Sequence, residues 1–116
     1  MSKWLCAIGF IAGAGIGSAQ ARWVLGRGLT PCSAWTQAHT TNAPERLDME
    51  DWIAGYLSAF NSLTDDPATP DFLKDEDWDG LIAWIDNYCA ARPLDKLETA
   101  GRSLVLELAE HHMAPP

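Results

Sequence analysis

The 116-residue sequence predicts an all-α fold, four short helices in a small orthogonal bundle, with the first and third helices tied by one disulfide from Cys32 to Cys89. Two observations carry this expectation. Apolar residues recur at the helical spacing i, i+3, i+4, i+7 through successive windows, and no stretch alternates with the two-residue period of a strand. An even pair of cysteines also remains once an apparent export segment is set aside. With 47% hydrophobic and 21% charged residues, the composition suits a single small globular domain.

The export segment is residues 1–21. Lys3 opens it, an apolar run from Trp4 to Ile16 follows, and Ala19-Gln20-Ala21 supplies small residues for cleavage. The run is too short to cross a ~30 Å hydrocarbon layer as a permanent helix, so no stable membrane anchor is expected after cleavage. Removal takes away Cys6 and one charge, that of Lys3, leaving sixteen acidic and seven basic residues, a formal charge of −9. The cysteines left are Cys32 and Cys89, as expected of a structural disulfide in an exported protein. There is no Cys-x-x-Cys spacing to suggest a redox or zinc site.

Residues 22–29 contain two arginines and two glycines without a clear period and read as a flexible arm. A helical domain is expected over residues 30–113, with 114–116 a frayed tail. Thr30 and Pro31 resemble an N-cap followed by proline at the first helical position. Cys32, Trp35 and His39 then share one helical face, and this first helix is expected to end near Thr40. After the turn-like Thr41-Asn42-Ala43-Pro44, Asp48 caps the clearest element. Met49, Trp52, Ile53, Tyr56, Leu57, Phe60 and Leu63 make an apolar stripe over four turns. Gly55 and Ala59 lie beside that stripe, where small residues would allow another helix to come close.

Two turn signals, Thr64-Asp65-Asp66-Pro67 and Thr69-Pro70-Asp71, follow, with Phe72 and Leu73 expected to tuck back onto the core. Asp71, Asp75, Glu76, Asp77 and Asp79 invite a calcium reading, but the EF-hand pattern fails at Trp78 and Ile82, so a solvated helix start is preferred. The third helix runs from Asp75 with Trp78, Leu81, Ile82, Ile85, Tyr88 and Cys89 on one side, and Pro93 ends it near Ala91. Asp95 and Glu98 resemble a capping box that opens a final helix burying Leu97, Leu104, Val105 and Leu108. Gly101 either weakens that helix or marks a close crossing. His111 and His112 suit its C-terminal dipole when protonated.

The net charge of −8 and pI near 4.6 argue against nucleic acid as a partner, because phosphate neutralisation needs clustered Lys and Arg. No nucleophile motif is present, and His39, His111 and His112 lack the H-E-x-x-H spacing of a zinc hydrolase. No catalytic residue, metal site or cofactor is expected. Six tryptophans, five without the export segment, suggest a core built on large rings.

Thr30-Pro31-Cys32-Ser33-Ala34-Trp35, Trp52-Ile53-Ala54-Gly55-Tyr56-Leu57 and Asn87-Tyr88-Cys89-Ala90-Ala91-Arg92-Pro93 together give a layout that resembles the HdeA/HdeB family of periplasmic acid-stress chaperones. In that family a signal peptide precedes a short all-α domain with one disulfide. The resemblance spans about residues 30–110. It implies a periplasmic, non-enzymatic protein, a homodimer at neutral pH, that binds unfolded client proteins at low pH through Trp52, Tyr56 and Phe60. Acid would carry the chain from negative to positive charge and weaken contacts that need ionised carboxylates. The layout also resembles small disulfide-bonded immunity proteins of type VI secretion systems, so the alternative is an inhibitor-type module whose acidic face covers one specific partner.

Overall fold

A computed structural model describes residues 22–64 and 66–113; the expected export segment, Asp65 and the expected tail lie outside them. The described chain is all-helical. A 3-10 turn at Gly26–Leu29 precedes α1 (Cys32–Thr40), α2 (Glu45–Leu63), α3 (Trp78–Ala91) and α4 (Leu97–Met113). Among the described residues there is no strand, only an isolated bridge between Pro31 and Lys96. The disulfide joins Cys32 at the start of α1 to Cys89 in the last turn of α3, with Cα atoms 4.7 Å apart.

Helix starts differ from the sequence expectation, and tertiary hydrogen bonds are the reason. Thr30 does not cap α1 with its side chain; Pro31 occupies the cap position. The first-turn amides find partners in the α3–α4 link instead: Cys32 N–H donates to the Asp95 carbonyl at 2.7 Å and Ser33 N–H to the Pro93 carbonyl at 3.0 Å. The Thr30 carbonyl accepts from Leu97 N–H at 2.8 Å, so the same link anchors the starts of α1 and α4. Asp48 is likewise not a cap. Asn42 turns the chain with φ of 55°, Pro44 stands at the cap with φ of −58°, and α2 begins at Glu45, which places Glu45 and Asp48 together in the first turn.

Asp75 adopts φ of 67° and so lies outside α3, which starts at Trp78 behind Asp77, whose carboxylate accepts from Gly80 N–H at 3.0 Å. The Asp95–Glu98 capping box does not form. Asp95 accepts from the Tyr88 hydroxyl at 2.6 Å, and Glu98 pairs with Arg102 one turn along α4. Where an arm is expected, the 3-10 turn packs on α2: Trp52 Nε1–H donates to the Leu25 carbonyl at 2.9 Å, and Gly28 is buried against the same indole.

The core is more aliphatic than six tryptophans suggest. Met49, Ile53, Leu57, Ile85, Leu97 and Leu104 are fully buried with the disulfide, and Trp35 is the one indole among them. Its Nε1–H donates to Asp86 at 2.7 Å, which satisfies the polar end that buried indoles must pair. Trp52 and Trp84 pack on the core's edge, whereas Trp78 is 39% and Trp23 96% exposed. Phe72 and Leu73 do turn inward, Phe72 to 4% exposure.

Close helix packing falls at Gly101 and not at Gly55. A Cβ at Gly101 would meet Tyr56 and Ile53 of α2 at 3.2–3.3 Å, whereas one at Gly55 would meet nothing within 4 Å. The contact pairs the first half of α4 with the middle of α2, and further along Phe60 and Thr64 face Val105, Ala109 and Met113. The two helices therefore run in the same direction and end at the same side of the molecule.

Candidate functional site

On α2, Trp52, Tyr56 and Phe60 recur every four residues and so stand one above the other. Their rings form a continuous ladder, Trp52 to Tyr56 at 5.0 Å between centroids and Tyr56 to Phe60 at 5.2 Å. The sequence places these three on one stripe, and the structure brings them together. Their surroundings differ along the ladder. Trp52 is roofed by Leu25 and Gly28, while Tyr56 lies beside Glu98 and Arg102 in an open groove with Trp23 and Leu25. Burial, followed by the negative charge of Glu98, pushes the Tyr56 phenol above its ordinary value of 10.0, so it stays protonated through the physiological range. Phe60, at the far end, is 37% exposed.

Phe60 opens onto an apolar groove of about 220 Å³ between the last turns of α2 and α4, walled by Val105, Ala109, Met113, Pro70 and Phe72. One wall is not helical. The connection between α2 and α3 reaches it, held by a small hydrogen-bonded clasp. Asn61 Nδ2–H donates to Asp71 Oδ1 at 2.9 Å, and Asn61 Oδ1 accepts from Phe72 N–H at 3.2 Å. The same Asp71 oxygen accepts from Leu73 N–H and Lys74 N–H, each at 3.1 Å. The Asn61 amide first, then the Leu73 backbone amide, hold the Asp71 carboxyl below its ordinary value of 3.8. A second tie lies further along: His112 Nε2 of α4 meets Glu76 Oε2 at 3.1 Å.

Sequence reasoning missed this clasp. Thr69-Pro70-Asp71 signals a turn, but the partner, Asn61, lies ten residues back on α2 in line with Ile53 and Leu57, and nothing in the helical spacing points it to that turn.

His39 is structural, whereas His111 is exposed. His39 stacks on Trp35 at 4.0 Å, with Nδ1 2.9 Å from the Trp35 carbonyl oxygen and Nε2 2.9 Å from Glu50 Oε2. Both ring nitrogens are thus occupied. Among the described residues, no group of three or more His, Cys, Asp or Glu side chains is placed to hold a metal ion. The acidic run from Asp71 to Asp79 is spread between the clasp, the α3 cap and the tie to His112.

The disulfide is compatible with an oxidising, exported location, and no helix among the described residues is long and apolar enough to cross a membrane. Comparison with protein-family models, with curated proteins and with solved structures gives no match.

Proposed function

We propose that this chain is a non-enzymatic periplasmic chaperone of the acid-stress type, folded and dimeric at neutral pH, that binds unfolded client segments once acid uncovers apolar surface. One observation carries the reading: the wall of the apolar groove beside Phe60 is fastened through a carboxylate, Asp71, whose proton affinity is lowered by its folded-state partners. A carboxyl with a depressed folded value adds stability that is present above its unfolded value and lost as pH falls through the folded one. The clasp therefore weakens in acid, and Phe72 is the side chain released with it. Trp52, Tyr56 and Phe60, already stacked, extend this surface along α2.

The test is light scattering of an acid-unfolding client enzyme brought to about pH 2.5, well below the carboxylate range. With an equimolar amount of this protein, scattering should fall several-fold, and Phe60→Ser should restore much of it. Unchanged scattering sinks the chaperone reading. An inhibitor-type module would leave the scattering unchanged.

A further inference from the structure

We propose that the groove between the C-terminal ends of α2 and α4 docks a cationic, apolar segment of a protein partner at neutral pH. This stands apart from acid-driven client binding, since it requires the carboxylates to be ionised. The groove's volume, about 220 Å³, is below the ~300–1,000 Å³ of pockets that enclose small molecules. It suits one or two apolar side chains anchored from a larger partner. Leu63 and Met113, 86% and 65% exposed, extend the apolar surface at the ends of the same two helices.

Charge complementarity identifies the occupant. On the connection that walls the groove, from Thr64 to Asp77, the sequence carries six acidic residues and one basic residue, Lys74. From Ser103 to Met113 it has Glu107 and Glu110 and neither Lys nor Arg. Asp66, Asp71, Glu76 and Glu110 thus stand on the segments around the groove, with Lys74 on the same connection and His112, which meets Glu76 at 3.1 Å, on the groove wall. The basic residues gather elsewhere: Arg22 and Arg27 on the N-terminal segment, Arg46 in the first turn of α2, Arg92 and Lys96 in the α3–α4 link, and Arg102 early in α4. Because α2 and α4 run the same way, both helix C-termini point to the groove end and add their partial negative charge to it. An apolar floor within a negative field selects an apolar segment flanked by lysine or arginine and repels its acidic counterpart.

The probe is a fluorescein-labelled amphipathic peptide of leucine and lysine, with a leucine–glutamate peptide of the same pattern as control, titrated with the full chain at neutral pH and read by anisotropy. The lysine peptide should bind and the glutamate peptide should not. Binding should weaken about ten-fold between ~50 and ~300 mM salt, as interactions screened over a few ångströms do. Ala109→Trp fills the groove and should weaken binding about ten-fold, the loss typical of a blocked anchor pocket. Glu110→Lys, at an exposed position, should weaken it about three-fold and flatten the salt dependence without touching the core. Equal binding of the two peptides, or Glu110→Lys with unchanged affinity and salt dependence, overturns the proposal. So does a sedimentation experiment in which the chain is a dimer and Ala109→Trp makes it a monomer, because the occupant is then a second copy.

Discussion

Gly28 and Gly55 show how differently one residue type can be used. A Cβ on Gly28 would stand 2.3 Å from Cζ2 of Trp52 and 2.6 Å from Val24, so the 3-10 turn and the indole fit only without a side chain there. Gly28→Ala should cost about 1–3 kcal/mol, the usual range for overpacking, and should shift tryptophan emission to the red as Trp52 loses its roof. Gly55 meets nothing, so Gly55→Ala should stabilise α2 by up to about 1 kcal/mol through helix propensity alone. Opposite shifts in thermal midpoint check the pair. The sequence expectation ran the other way, with Gly55 as a packing site and residues 22–29 as a loose arm. Spacing identifies the apolar stripe of α2, but it cannot say which flank of the stripe meets a neighbour. That depends on where α4 crosses, and Gly101 provides the closeness. Trp35 and Phe72 were legible for the opposite reason, since a large apolar group at an inward-facing position has few alternatives to burial.

At the scale of the element, the disulfide and the hydrogen bonds of the α3–α4 link act on the same piece of α1. Cys32 is bonded through sulfur to Cys89, and its own amide donates to Asp95. Closing a loop with a sequence separation of 57 should contribute roughly 4 kcal/mol by loss of unfolded-state entropy. Urea unfolding of Cys32→Ser/Cys89→Ser should give a free energy of unfolding lower by about that amount, seen as a lower midpoint, and a reductant should have the same effect on the wild type and none on the variant. A helical signal that survives in the variant at neutral pH is expected, because the Asp95 and Pro93 carbonyls still hold the first turn of α1. The number, order and approximate extent of the helices were readable because three of them carry long apolar stripes. Their first residues were not. Thr30, Asp48, Asp75 and Asp95 all have the side-chain chemistry of caps, yet none of them caps its helix: prolines stand at the cap positions of α1 and α2, Asp75 is left-handed and precedes the α3 cap, and the Asp95 carboxylate accepts from Tyr88. Asp77 alone caps as its chemistry allows.

Across the whole molecule, topology gathers the apolar groove, the acidic connection between α2 and α3 and the C-terminal ends of two parallel helices at one end. The fastening of that end was invisible in the sequence, because Asn61 is an unremarkable polar residue on a helix and acquires its role only when the α2–α3 connection folds back over Phe72. The clasp gives the molecule a pH dependence with a definite sign. Asp71 is favoured as the carboxylate by Asn61, Leu73 and Lys74, so its contribution is complete above the ordinary value of 3.8 and disappears as pH falls through its lower folded value. Asp71→Asn retains an oxygen acceptor but cannot titrate. At neutral pH the variant should show weaker hydrogen-exchange protection of the Phe72, Leu73 and Lys74 amides and stronger binding of an apolar dye than the wild type. As both are titrated toward pH 2, the wild type should lose protection and gain dye binding until the two curves meet, because a protonated Asp71 and an asparagine are then near equivalents. A gap between the curves that persists unchanged to the acid limit would mean that the loop is held by packing of Phe72 and by the Glu76–His112 contact, with Asp71 contributing no acid response.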